Sequence, residues 1–128
     1  VLVHTGWGRY FEKDQTKNAF WVCVNRPGLS LDGAEWLVKR KIKAYGQDTI
    51  GTHQPATSWF PDEKTAASGV RWIDEPVHQL MLGNDILLLE HLTNLDKVAN
   101  RRIIAGFFPL PLKGTDGAPI RAVAFIED

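Results

Sequence analysis

The sequence has few of the features that mark specialised classes of protein. Only one of its 128 residues is cysteine, so an intramolecular disulfide is excluded and a reducing compartment, the cytoplasm, is expected. Lys and Arg together number 15, as do Asp and Glu, so no net charge attracts nucleic acid or an anionic membrane. We find no apolar run of about 18 residues and no signal-peptide pattern, so we expect no membrane association.

The first residues are unusual for the start of a protein. The chain begins without methionine on an apolar run, residues 1–3, that is typical of an internal strand. A strand needs neighbours to pair with. We therefore expect residues 1–128 to be either a single domain with a trimmed start or the C-terminal portion of a larger domain.

The patterning predicts short strands mixed with short helices. Apolar runs predict strands at residues 1–5, 42–45, 86–89, 103–112 and 120–126. Residues 31–40 show helical spacing after the N-cap residue Ser30, and we expect their apolar positions to be buried: Leu31, Ala34, Leu37 and Val38. Residues 19–24 fit either a strand or a helix. The order of these elements favours a mixed α/β domain.

The stretch of residues 74–98 contains the candidate functional pair. Pro76 suits the first turn of a short helix that carries His78 and ends at Gly83. Glu90 follows the apolar run 86–89, which we expect to be a strand covered on both faces. A carboxylate at the end of a buried strand needs a partner. An imidazole and a carboxylate form a plausible half of a metal site, although most such pairs on neighbouring elements are ordinary hydrogen bonds.

A second candidate region is the long loop at residues 49–69. It is longer than compact domains usually contain without a purpose, and such loops often bind ligands. Trp59 and Phe60 give it aromatic surface, and we expect both to help shape a substrate pocket.

Several soft motifs in this order resemble the C-terminal half of the cyclase family of metal-dependent hydrolases. They include Thr-Gly-Trp at residues 5–7, Pro-Gly-Leu-Ser at 27–30, Val-His at 77–78 and Gly-Thr-Asp-Gly-Ala-Pro at 114–119. The family includes bacterial kynurenine formamidase (an arylformamidase) and isatin hydrolase. The resemblance implies a mixed sheet of the swivelling β/β/α, barrel-like kind with short flanking helices, completed by an N-terminal part.

The resemblance also implies a chemistry. His78 and Glu90 fall at positions where such hydrolases bind a divalent metal, usually zinc or manganese, which activates water. The implied substrate is a small amide, lactam or lactone. Trp7, in the family's Thr-Gly-Trp position, either walls the substrate pocket or packs in the core. Homo-oligomers are common in the family, and we expect one here.

The chain departs from the family in its main metal motif, His-x-Gly-Thr-His-x-Asp-x-Pro-x-His. Gly51, Thr52 and His53 match its centre, but the remaining required positions fall on residues that cannot bind metal as the motif requires: Thr49, Pro55, Thr57 and Trp59. We therefore interpret the match as a coincidence, while His53 remains a candidate to face the substrate.

Two functional hypotheses follow from this departure. Two ligands are too few for a catalytic metal, which normally has about three protein ligands. Either an N-terminal segment or a second chain supplies the other His and Asp ligands of a hydrolase, or the chain is a non-catalytic subunit or binding module that keeps the fold. Without that segment, we expect it to be inactive.

Overall fold

The computed structural model describes residues 1–12, 17, 19–52 and 75–126. His53, Trp59 and Phe60 lie outside these residues, as does most of the predicted loop. The secondary structure runs in this order: β1 (Leu2–Val3), α1 (Arg9–Glu12), α2 (Ala19–Val24), α3 (Leu31–Lys39), β2 (Ala44–Gln47), α4 (Pro76–Leu82), β3 (Leu87–Leu89), a 3₁₀ helix (Leu95–Val98), β4 (Ile104–Pro109) and β5 (Ile120–Phe125). The mixed α/β fold predicted from the sequence is confirmed.

The first compact unit, Val1–Thr93, contains a parallel three-stranded sheet in the order β1-β2-β3. Leu2 lies opposite Gly46, and Gly46 in turn lies opposite Leu89. The close packing of β2 explains the glycine, because a Cβ at Gly46 would come within 2.8 Å of side-chain atoms of Leu2 and Leu92. Since all three strands run in the same direction, their carboxyl ends lie at one edge of the sheet.

Helices α3 and α4 pack against each other and form the core with β2. The predicted N-cap is confirmed, since the Gly33 N–H donates to the Ser30 hydroxyl over 3.4 Å. Ala34 and Leu37 are buried as expected, and Val77 and Met81 bury the facing side of α4. The expectation for Leu31 was wrong: its side chain is 44% exposed and does not pack against the core cluster.

Strand β3 is covered less completely than its sequence suggested. Leu89 is buried, but Leu87 is 62% exposed, so the prediction of a strand covered on both faces was wrong at this position. Leu87 pairs with Ala44 at the opposite end of the sheet from Glu90, and no described element covers its side chain there.

The open choice at residues 19–24 resolves as a helix, α2. It ends at a turn in which the Asn25 N–H donates to the Trp21 carbonyl over 3.1 Å. Within the described residues, no helix is long and apolar enough to cross a membrane.

The second compact unit, Asn94–Asp128, holds the 3₁₀ helix and an antiparallel hairpin of β4 and β5. Register runs from Ile104 opposite Phe125 to Pro109 opposite Ile120. Strand β4 ends at Pro109, before the end of the predicted strand at 103–112, since proline cannot donate to a strand ladder.

Candidate metal centre

The candidate site lies where the three parallel strands end. The loop Thr5–Gly8 follows β1, the segment Asp48–Thr52 follows β2, and Glu90 follows β3 directly. In open α/β sheets, ligands bind outside the carboxyl ends of the strands. The fold therefore collects these three segments at the edge where a ligand is expected.

The structure brings the predicted pair together. Helix α4 directs His78 toward Glu90, and the His78 Nε2 lies 3.2 Å from the Glu90 Oε1. The other ring nitrogen, Nδ1, lies 3.3 Å from the Glu75 Oε2. The imidazole thus lies between two carboxylates, and its hydrogen bond to Glu90 fixes the direction in which the ring points.

Glu90 is held in place by a segment distant in the sequence. The Gly51 N–H donates to its Oε2 over 3.0 Å, and the Thr52 hydroxyl donates to its Oε1 over 3.1 Å. Burial alone would raise the pKa of Glu90. The hydrogen bonds from His78, Gly51 and Thr52 outweigh burial and lower the pKa to about 2. The carboxylate is therefore charged at neutral pH.

His78 responds to the same neighbours in the opposite direction. Its hydrogen bond to Glu90 raises the pKa of the imidazole, burial opposes that rise, and the charges of Glu75 and Glu90 add to it. Beside the charged Glu90, His78 therefore holds its proton more tightly than an ordinary imidazole does. A metal must displace this proton to bind the ring.

The geometry of the pair fits two ligands of one divalent ion. Zinc ligands stand at about 2.0–2.1 Å with tetrahedral angles, which places two of them about 3.3 Å apart. The separation of 3.2 Å between the His78 Nε2 and the Glu90 Oε1 matches this requirement. Within the described residues, no group of three or more His, Cys, Asp or Glu side chains is arranged so that it could hold a metal ion. The described part of the chain therefore brings together two candidate metal ligands, His78 and Glu90.

Arg26 is a functional candidate that the sequence did not reveal. It is only 8% exposed, and its Nη1 donates to the Cys23 carbonyl. Its guanidinium occupies the space beside Gly51 where a Cβ would stand, 2.6 Å from the Nη2. Burial lowers the pKa of Arg26, while the charges of Glu90 and Glu75 act in the opposite direction. An arginine in an Arg-Pro-Gly turn is ordinarily exposed, so nothing local marked it.

The loop after β1 is anchored by Asp48. Its carboxylate accepts hydrogen bonds from the N–H groups of Thr5 and Gly6, both over 2.9 Å, and from the Thr5 hydroxyl over 2.6 Å. The Trp7 ring stacks on Trp21 with centroids 5.4 Å apart. The Trp7 Nε1 donates to the Val22 carbonyl over 3.1 Å. Trp7 thus packs on α2, and its contact with a substrate stays a prediction.

The remaining histidine beside the pair has a different environment. The His91 ring lies against Phe11, with centroids 4.3 Å apart. Its backbone N–H donates to the Thr49 carbonyl over 3.0 Å. Burial lowers the pKa of His91, whereas hydrogen bonding raises that of His78. His91 is therefore a suitable control for His78.

Comparison with known proteins identifies what this chain is similar to. Residues 1–54 match the protein family described as putative cyclase. The chain is 29% identical over 127 residues to isatin hydrolase from Roseibium aggregatum, covering 98% of this chain and 44% of that protein. It therefore spans less than half the length of this curated relative.

Solved structures show the same relationship. An isatin hydrolase bound to the product analogue thioisatinate matches 99% of this chain and 45% of its own, with a TM-score of 0.71 and 25% identity. A potential metal-dependent hydrolase with cyclase activity shares the fold over 79% of this chain and 42% of its own, with a TM-score of 0.55 and 24% identity. The resemblance predicted from the motifs is thus confirmed, and the chain is similar to the cyclase family of metal-dependent hydrolases.

Proposed function

We propose that this chain supplies His78 and Glu90 as two ligands of a divalent metal, zinc or manganese, in a hydrolase that opens a small amide, lactam or lactone. The observation that carries the proposal is the 3.2 Å approach of the two side chains at the carboxyl edge of the parallel sheet. The similarity to isatin hydrolase supports the same class of reaction.

The residues around the pair have separate tasks in this proposal. Gly51 and Thr52 orient the Glu90 carboxylate and keep it anionic, as a ligand must be. Glu75 orients the His78 ring from the opposite nitrogen. A divalent metal bound there would lower the pKa of a water molecule and polarise the scissile carbonyl.

The remaining parts of the site are also proposals. A complete catalytic site needs further His and Asp ligands, from an N-terminal segment or from a second chain. Trp7 and the predicted loop residues His53, Trp59 and Phe60 are the candidates for substrate contact. We further expect the assembled protein to be a homo-oligomer, as the family resemblance implies.

The alternative, a non-catalytic subunit or binding module, keeps one supporting observation. No third metal-binding side chain joins the pair within the part of the chain that is described. The two functions differ in what accompanies the chain. Native mass spectrometry of the purified protein separates them, because a hydrolase requires a polypeptide segment carrying the missing ligands together with stoichiometric metal.

Calorimetric titration of zinc and of manganese into the 128-residue chain tests the proposed ligands. We expect one saturable site, which His78→Gln and Glu90→Gln each weaken at least about tenfold because each removes one of two direct ligands. His91→Asn is the matched control, since it removes a neighbouring imidazole that contacts Phe11 and since Asn tolerates the φ of +56° at that position. If His78→Gln binds metal as tightly as the unaltered chain, the assignment of His78 is wrong.

A further inference from the structure

The segment that holds Glu90 is itself fixed by a buried glutamine. We propose that Gln47 is a positioning residue for the Glu90 carboxylate and acts through the backbone of Gly51. The proposal rests on the proposed function, because it treats Glu90 as a metal ligand. Gln47 was not a candidate from the sequence, where it is an ordinary polar residue that follows the predicted strand 42–45.

Every hydrogen-bonding group of the Gln47 side chain is used. Gln47 is 1% exposed, and its Nε2 donates to the Gly51 carbonyl over 2.8 Å and to the Thr49 hydroxyl. The Tyr45 hydroxyl donates to the Gln47 Oε1 over 2.8 Å. Alternation along β2 places Tyr45 and Gln47 on the same face, which allows this contact. Because the Gly51 carbonyl can only accept, it also fixes the orientation of the amide.

Gly51 is held at both of its backbone polar groups. Its carbonyl accepts from Gln47, while its N–H donates to the Glu90 Oε2. Its φ of +69° lies in the left-handed region, which glycine adopts without strain. The Arg26 guanidinium fills the side on which a Cβ would stand. A carbonyl anchored in this way limits rotation of the residue, and its N–H stays aimed at the carboxylate.

The burial of Gln47 argues that the amide serves more than packing. A buried amide requires all of its hydrogen bonds to be made, whereas an apolar residue of similar size would fill the same space without that requirement. Here the four groups Tyr45, Gln47, Thr49 and Thr52 are all at most 3% exposed, and they lead to a charged side chain at the sheet edge. The network therefore connects the buried core to Glu90, one of the proposed ligands, and restricts the movement of its carboxylate.

The test uses Gln47→Met, which keeps the length of the side chain and removes both donors. In the metal-free chain we expect the Gly51 amide proton to move upfield in NMR spectra, because its hydrogen bond to Glu90 weakens. Zinc affinity should fall about tenfold, at the lower end of the effect of outer-shell substitutions. Leu37→Ala, a buried substitution in α3, is the control for lost stability. It should lower stability without moving the Gly51 signal.

The outcomes are separable. An unchanged Gly51 signal and unchanged zinc affinity in Gln47→Met would overturn the proposal. If Gln47→Met does not fold, Tyr45→Phe takes its place, because it removes only the hydrogen bond from Tyr45 to Gln47. We expect a smaller shift of the Gly51 signal in the same direction. An unchanged Gly51 signal in Tyr45→Phe would equally overturn the proposal. If the unaltered chain binds no zinc, the proposed function fails, while the Gly51 signal in the metal-free chain still decides the role of Gln47.

Discussion

Replacing Asp48 with asparagine tests how one carboxylate fixes the loop that carries Trp7. Asp48 is 4% exposed and accepts three hydrogen bonds of 2.9 Å or less from Thr5 and Gly6. Asn keeps the shape of the side chain but offers one carbonyl oxygen, and its NH₂ group then faces a backbone N–H. Two donors therefore oppose each other in a buried position.

The magnitude follows from these contacts. A hydrogen bond to a charged group contributes about 1.5–3 kcal/mol, and a buried donor left without a partner costs about 1–3 kcal/mol. Since Asn retains the acceptor on one side, we expect Asp48→Asn to lower the free energy of unfolding by about 2–4 kcal/mol at pH 7. Asp116→Asn in the exposed hairpin turn is the matched control, expected to stay within about 0.5 kcal/mol.

The effect should depend on pH in a definite direction. Burial alone would raise the pKa of Asp48, but its hydrogen bonds with Thr5 and Gly8 keep it below the ordinary value of 3.8. A carboxyl whose pKa is lower in the folded state stabilises the fold above the unfolded pKa, and this contribution is lost as pH falls through the folded pKa. The stability difference between the unaltered chain and Asp48→Asn should therefore be complete above pH 3.8 and shrink below it.

Urea unfolding followed by tryptophan fluorescence at several pH values measures both quantities. Equal unfolding free energies for Asp48→Asn and Asp116→Asn at pH 7 would refute the anchoring role. A difference that does not change with pH would show that the charge of Asp48 contributes nothing and that only the shape of its side chain matters.

Further predictions concern the packing of the first unit. Gly46→Ala should destabilise the fold by about 1–3 kcal/mol in urea unfolding, because the new Cβ meets Leu2 and Leu92 closer than van der Waals contact allows. Met81→Ala, at a fully buried position, should cost about 2–5 kcal/mol in the same assay. Leu87→Thr, at a position 62% exposed, should change stability by less than about 0.5 kcal/mol, and a larger loss would mean that another surface covers β3.

Local signals in the sequence predicted local structure well. The Ser30 cap and the Pro76 helix start each follow from one residue's effect on the nearby backbone. Residues 19–24 remained undecided, because a short apolar run satisfies both a strand and a helix. In the structure this segment is a helix, and its contacts with Trp7 come from a part of the chain outside it.

The candidate site was predictable only in part for the same reason. The local pattern marked His78 and Glu90 as a candidate pair, the family resemblance implied that they bind a metal, and the structure places them in contact. Gly51 and Thr52 were set aside as a chance match to a metal motif. They nonetheless hold Glu90, across separations of 39 and 38 residues that no local pattern encodes. Gln47 was missed because its burial depends on how the sheet packs, which composition and spacing do not determine.

The site itself is tested most directly by adding Mn²⁺ to the ¹⁵N-labelled chain and recording which amide signals broaden first. A paramagnetic ion bound by His78 and Glu90 should broaden the signals of these two residues and of Gly51 and Thr52 before any others, and His78→Gln should abolish the selectivity. Sharp signals at these four positions while another region broadens would contradict a metal centre at this edge of the sheet.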